Sequence, residues 1–263
     1  MKHIILCADD YGQNADISQA IIALIQQSRL SATSCLTTFS HWKMHAKWLE
    51  PFKNQIDIGL HFNLTEGKLC RIPASSLGKL LLFSQLRFIS QQKIEEELHA
   101  QLDQFESEMK MPPRFIDGHQ HVHQFPVIRD ALLSVYEKRL WQHPVYFRCT
   151  DSAITDFKNL IIQFSGARAF KKKLIAKKIP HNASFLGIYN FASPQFEKTF
   201  QKFLSEISEG GLIMCHPGLK NNEMNSDKIA QSRGGEFHYL SSQQFVEDCK
   251  KFEAELTRFK DYS

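Results

Sequence analysis

The 263-residue chain has six cysteines, Cys7, Cys35, Cys70, Cys149, Cys215 and Cys249, but no Cys-x-x-Cys pair. That absence argues against a paired-thiol metal or redox motif, and the cysteines read as reduced core residues, several of them in or beside apolar runs. No apolar stretch reaches membrane-spanning length, and Ile4–Ala8 is too short for the apolar centre of a signal peptide. A cytoplasmic protein with no stable membrane insertion is therefore expected. No glycine-rich phosphate loop or dinucleotide fingerprint appears, which argues against phosphotransfer and redox chemistry. The net charge of +4 is mild, far from the footprint of a dedicated nucleic-acid binder, and charge by itself names no partner; no nucleic-acid partner is expected. No linker, low-complexity tract or internal repeat divides the sequence, and a single domain over residues 1–263 is the expectation.

What is present is an ordinary globular composition, 43% hydrophobic and 23% charged, long enough for one large α/β domain with a sizeable core. Around Phe115–His123 an apolar lead runs into His119, His121 and His123 at alternate positions. Histidine is the commonest metal ligand, and its pKa lies near neutrality, so the cluster suggests a site at a strand end. A solvated His-rich loop is the alternative.

The same arrangement recurs along the chain. Lys2–Ala8 is a buried-type strand that delivers Asp9-Asp10-Tyr11-Gly12 at its end. Two adjacent carboxylates repel each other, and a structure that keeps them usually supplies a cation or a shared proton, unless the stretch is merely a turn and a helix cap. Gln55–Leu60 runs into His61, Val145–Cys149 contains Arg148, and Leu212–Cys215 precedes His216-Pro217-Gly218.

Helical spacing separates these strands, at Asn14–Gln27, Gln91–Met109, Val127–Lys138, Phe196–Ile207 and a final stretch from Ser241 to Phe259. Phe157–Ile179 is basic and partly amphipathic, and reads as a solvated helix, with a membrane- or phosphate-binding face as the alternative. His41, Trp42 and His45 read as helix surface. Leu77–Ile89 is more apolar than a loop requires, and fits a helix packed on the barrel, a lid or a dimer contact. Alternating strands and helices imply parallel βα units in a barrel or doubly wound sheet, whose active site lies at the carboxyl ends of the strands. Asp9, Asp10, His61, Asp117, His119, Arg148 and His216 all hold that kind of position.

The motifs Ala8–Gly12, Gly59–Thr65, Asp117–His123 and Cys215–Gly218 resemble, in order and spacing, those of the YdjC-like carbohydrate deacetylases, the family of chitooligosaccharide deacetylase. Asn182–Tyr189 resembles that family's Ser-Phe-x-Gly segment. The resemblance implies a distorted (β/α) barrel of the polysaccharide-deacetylase type, with one divalent metal held by Asp10, His61 and His119. It implies Asp9 as general base and His216 as acid, with His121 and His123 facing substrate or supporting the ligands. Arg148 is expected to hold Asp9 ionised or contact substrate, and Asp117 to orient a ligand histidine.

The activity implied is metal-dependent hydrolysis of an N-acetyl group from a chito-oligosaccharide-like sugar, with magnesium or zinc as the metal. The partners implied are a small carbohydrate and a second copy in a homodimer. Two other readings are compatible with the residues: an amidohydrolase acting on another N-acyl molecule such as a glycolipid, and a non-catalytic carbohydrate-binding barrel. The adjacent pair Asp9-Asp10 argues against the last, since a binder needs the ligand but not the neighbouring base.

Overall fold

The computed structural model describes residues 1–151, 163–191, 195–219, 227 and 229–259. Strand β1 (Lys2–Tyr11) lies at the centre of the sheet and is buried along most of its length. Its residues Ile4, Leu6 and Ala8 join the larger core with the helices, while Ile5 and Cys7 join a second cluster with Phe115, Tyr146, Phe185, Leu212 and Met214. This alternation is the period-two signature of a strand buried on both faces.

On one side of β1 follow β2 (Ala32–Cys35), β3 (Asp57–Phe62), β4 (Phe115–Gly118) and β5 (Tyr146–Phe147). On the other side β6 (Phe185–Leu186) lies outside β7 (Gly211–Cys215), which pairs directly with β1. All the pairings are parallel. Asn182 spans the gap between the two outer strands: its side chain accepts from Cys149 N (2.7 Å) and donates to the carbonyls of Cys149 (2.9 Å) and Ser184 (2.8 Å). The sheet thereby curls into a distorted (β/α) barrel.

The helices among the described residues are α1 (Ala15–Gln26), α2 (Trp42–Leu49), α3 (Leu77–Gln85), α4 (Gln91–Met109), α5 (Ile128–Val135), α6 (Arg168–Ala176), α7 (Phe196–Glu206), α8 (Ala230–Leu240) and α9 (Gln243–Lys251). Helix α4 shows how sequence sets such an element. Ser90 caps it by accepting from Lys93 N, and Ile94, Leu98, Leu102 and Phe105 form its buried stripe. Each such side chain contributes about 1.5–3 kcal/mol by leaving water. Lys110 ends the helix in a left-handed conformation (φ 58°), ahead of Pro112-Pro113. No described helix is long and apolar enough to cross a membrane.

Four expectations need correction. The final stretch is not one helix: α9 stops at Lys251, Glu253 turns left-handed (φ 52°), and Ala254–Leu256 forms β8 beside Lys2–Ile4 of β1. The free edge of a long central strand outweighs helical spacing there, with Lys2 N donating to Glu253 O at 2.6 Å. In the basic stretch the helix α6 covers Arg168–Ala176, while residues 157–162 lie outside the described residues. Trp42 and His45 are buried rather than surface, because α2 turns them toward α4 and the Tyr11 turn: Trp42 Nε1 donates to Gln104 O, and Tyr11 Oη donates to His45 O. Finally, the His cluster leaves the strand at Gly118, as described below.

Candidate active site

Adjacent strand residues normally point to opposite faces, so Asp9 and Asp10 should not both reach one site. A bulge in β1 reconciles them. The register with β2 shifts between Ala8 and Tyr11, and Asp10 takes a left-handed conformation (φ 67°). Asp9 continues the inward series of Ile5 and Cys7, and the bulge turns Asp10 to the same cavity. That left-handed residue carries strain of order 1–2 kcal/mol, which the surrounding contacts must offset.

At the end of β4 the backbone turns sharply. Gly118 leaves room for the turn, since a Cβ there would lie 2.8 Å from His123 N. Gln120 and His121 are then both left-handed, with φ of 53° and 59°. The turn sends the histidines to different places. His119 Nδ1 lies 3.0 Å from Asp10 Oδ1, His121 lines the cavity edge-on to Phe185, and His123 Nε2 meets the Arg148 carbonyl at 3.0 Å. His123 is fully buried and does not line the cavity.

The cavity measures about 730 Å³ and lies at the carboxyl ends of β1, β3 and β7. At its floor one ligand atom each from Asp10, His61 and His119 lie within 4.8 Å of one another. His61 Nε2 faces Asp10 Oδ1 at 3.5 Å, while its Nδ1 is held by Asp117 Oδ1 at 2.6 Å and Ser34 Oγ at 3.0 Å. His119 Nε2 has Glu66 Oε1 at 3.5 Å. Each imidazole thus has one nitrogen toward Asp10 and the other toward a second carboxylate, an arrangement common around metal-bound histidines. Two imidazoles and a buried carboxylate suit a divalent cation, and three donors leave coordination positions open.

The electrostatics are those of a cation site. Burial would push His61 down, but Asp117 and Asp9 raise it to about 10. His119 is likewise raised, Asp10 outweighing its desolvation. Burial would raise Asp10, yet Arg233 and His119 hold it well below the usual carboxylate range.

Behind Asp9 stands Arg148, without exposed surface. Its Nη1 and Nη2 donate to Asp9 Oδ2 (2.6 Å) and Oδ1 (2.5 Å), and Nη2 also lies 2.7 Å from Asp117 Oδ2. Arg148 does not line the cavity. Although desolvation pushes the Asp9 carboxyl up, Arg148 keeps it well below its ordinary value. His216 Nε2 sits 4.0 Å from Asp9 Oδ2, and burial lowers its pKa to about 4. Its Nδ1 and that of His121 are buried without a hydrogen-bond partner among the described residues.

Sequence reading missed a further layer supplied by α8. Arg233 donates to Asp10 Oδ2 (2.7 Å) and to Asp227 Oδ2 (2.5 Å). Glu236, fully buried, accepts from His216 N and Tyr189 Oη, each at 2.5 Å. Burial raises its carboxyl to about 7. Gly234-Gly235 interrupt the helical pattern of α8, so its apolar spacing is faint. Glu66 was missed for a simpler reason: it stands in the loop after His61-Phe62-Asn63-Leu64-Thr65, with no strand end of its own to mark it.

A family profile described as YdjC-like protein matches residues 3–251. The chain belongs to the YdjC-like family. Similar members include the chitooligosaccharide deacetylase of Serratia marcescens, 26% identical over 252 residues, which covers 92% of this chain and 91% of that protein. That of Escherichia fergusonii is 24% identical over 245 residues, covering 91% and 90%. Among solved structures, an Enterococcus faecalis V583 protein named as a candidate for cellobiose-phosphate cleavage superposes with a TM-score of 0.77 at 18% identity, over 100% of this chain and 99% of that one. The Bc1960 peptidoglycan N-acetylglucosamine deacetylase gives 0.56 at 10% identity, over 98% and 86%. These likenesses place this YdjC-like chain in the barrel fold of the polysaccharide deacetylases.

Proposed function

We propose that this chain is a metal-dependent carbohydrate N-deacetylase, folded as one domain over residues 1–263, that hydrolyses the acetamide of a chito-oligosaccharide-like sugar. The observation that carries the reading is the donor set of Asp10, His61 and His119 with a second carboxylate, Asp9, and a histidine, His216, facing the same cavity. The names of its relatives supply the substrate class.

Asp10, His61 and His119 would hold one divalent ion, zinc or magnesium. When bound, the ion supplies Lewis acidity toward the amide carbonyl and makes a water more acidic. The chain's own residues do the rest. Asp9, kept ionised by Arg148, takes the proton of the attacking water. His216 is neutral near pH 7 because burial lowers its pKa. Its Nε2 lies 4.0 Å from Asp9 Oδ2, beyond direct hydrogen-bond reach, so the proton would pass from Asp9 by way of one bridging water to His216 and on to the departing nitrogen, and acetate and a free amino sugar leave. Asp117 and Glu66 orient the two imidazoles, and His121 faces the sugar.

The test is acetate release from a panel of N-acetylated chito-oligosaccharides, with and without chelator. Release that stops on chelation and returns with added metal supports the reading. A stoichiometric metal without release from any sugar would move the substrate to another N-acyl compound. Neither metal nor release would overturn the enzyme.

A further inference from the structure

Helix α3 presents an outward stripe that the proposed chemistry does not use. Its inner side is anchored: Leu80 and Ser84 are buried, and Ser84 Oγ donates to the Pro126 carbonyl, just beyond the turn that carries His119 and His121. Its outer side carries Lys79, Leu82, Phe83 and Leu86, the i, i+3, i+4, i+7 spacing of one helix face. Leu82 is 55% exposed and Leu86 52% exposed. The other strongly exposed large apolar side chains among the described residues, Met1, Met44, Trp141 and Ile175, are dispersed along the chain. Such a concentrated patch marks an interaction surface.

The end of the helix extends the patch by an unusual cap. Arg87 takes the left-handed conformation (φ 57°) that glycine ordinarily fills. Arg87 N donates to Ser84 O (3.1 Å) and Phe88 N to Phe83 O (2.8 Å), closing the turn. Phe88 does not fold back onto the helix as the residue after such a cap often does, and stands 75% exposed.

Charge selects the occupant. Between Glu66 and Glu95 there is no acidic residue, while Lys68, Arg71, Lys79, Arg87 and Lys93 are all exposed. Lys79 Nζ lies 5.5 Å from the centre of the Phe83 ring, and neither Lys79 nor Arg87 has an acidic partner among the described residues. A second copy of the same face would offer no carboxylate from this stretch to pair with Lys79 or Arg87. An anionic bilayer meets both halves of the pattern: apolar side chains enter the headgroup boundary while flanking cations attract lipid phosphates.

We propose that α3 with Arg87 and Phe88 is a peripheral docking surface for an anionic lipid bilayer, holding the cavity mouth near the membrane without insertion of a spanning segment. The test is co-sedimentation of the full-length protein with vesicles of phosphatidylcholine alone and of phosphatidylcholine with 30% phosphatidylserine. Binding to the anionic vesicles should exceed binding to the neutral ones by at least tenfold and weaken with salt. Lys79→Glu with Arg87→Glu should lower it roughly fivefold per cation removed. Leu82→Ser with Phe83→Ser and Phe88→Ser should abolish it, while the thermal midpoint and acetate release from a soluble sugar stay as in the parent. Light scattering is run on the same proteins. A dimer that the serine variant dissociates, with no vesicle binding, would assign the face to a second copy and overturn the proposal. A monomer that ignores both vesicles would overturn it equally and leave the face to an acidic protein.

Discussion

Arg148 grips Asp9 through two hydrogen bonds, Nη1 to Oδ2 at 2.6 Å and Nη2 to Oδ1 at 2.5 Å, deep behind the cavity wall. The planar fork fixes the carboxylate plane as well as its charge, which a lysine ammonium cannot do. Arg148→Lys should therefore lower kcat at least tenfold with little change in KM. Arg148→Ala, which leaves Asp9 and Asp117 buried without their cation, should also cost about 3–5 kcal/mol of stability. Steady-state kinetics and denaturant unfolding measure the two effects. Activity of Arg148→Ala within about threefold of the parent would remove the residue from the mechanism.

Asp9 and Asp10 are neighbours in sequence with different partners, Arg148 and Arg233. Asp9→Asn should leave metal stoichiometry intact and cut acetate release by about 10²–10⁴, the usual contribution of a general base. Asp10→Asn should instead lose the metal. Elemental analysis alongside the assay distinguishes them, and loss of metal from both variants would show that the bulge does not divide their work.

Asp117 holds His61 Nδ1 at 2.6 Å. Replacing it with asparagine should weaken metal affinity by about 10–100-fold, the range expected for a carboxylate that orients a liganding histidine. Competition with a chromogenic chelator reads this directly. An unchanged affinity would leave Asp117 as a partner of Arg148 alone.

Glu236 sets a pH dependence of stability. Burial lifts its carboxyl from 4.5 to about 7. Between those values the folded protein holds a proton that the unfolded chain releases, so the favourable contribution is complete below about pH 4.5 and is lost as pH rises through about 7. The change is on the order of 3 kcal/mol. Buried histidines such as His216 and His123, both lowered to about 4, run the opposite way. They are common to both proteins, so the difference between the parent and Glu236→Gln isolates the glutamate. That difference should shift in favour of the glutamine variant as pH rises from 4.5 to 7 in urea unfolding. A flat difference would mean that Glu236 titrates normally.

The sequence by itself determined which residue types stand at the ends of the apolar runs: Asp9 and Asp10 after Ile4–Ala8, His61 after Ile58–Leu60, His119 after Phe115–Ile116, and His216 after Leu212–Cys215. A buried strand is a local pattern, and the polar residue that ends it must lie where the sheet meets solvent, so strand ends are legible one segment at a time. Tertiary structure alone decided which of these side chains meet. The left-handed turns at Asp10, Gln120 and His121 aim them, and no glycine marks those positions in the sequence. It decided that Arg148 faces Asp9 and Asp117 rather than the cavity, and it brought Arg233 to Asp10 across a separation of 223 residues. Glu236 gained its raised pKa the same way, from burial that outweighs the lowering by its hydrogen bonds from Tyr189 and the His216 backbone. Such pairings depend on how distant elements pack and on desolvation inside the fold, and neither quantity is a property of any one stretch of chain.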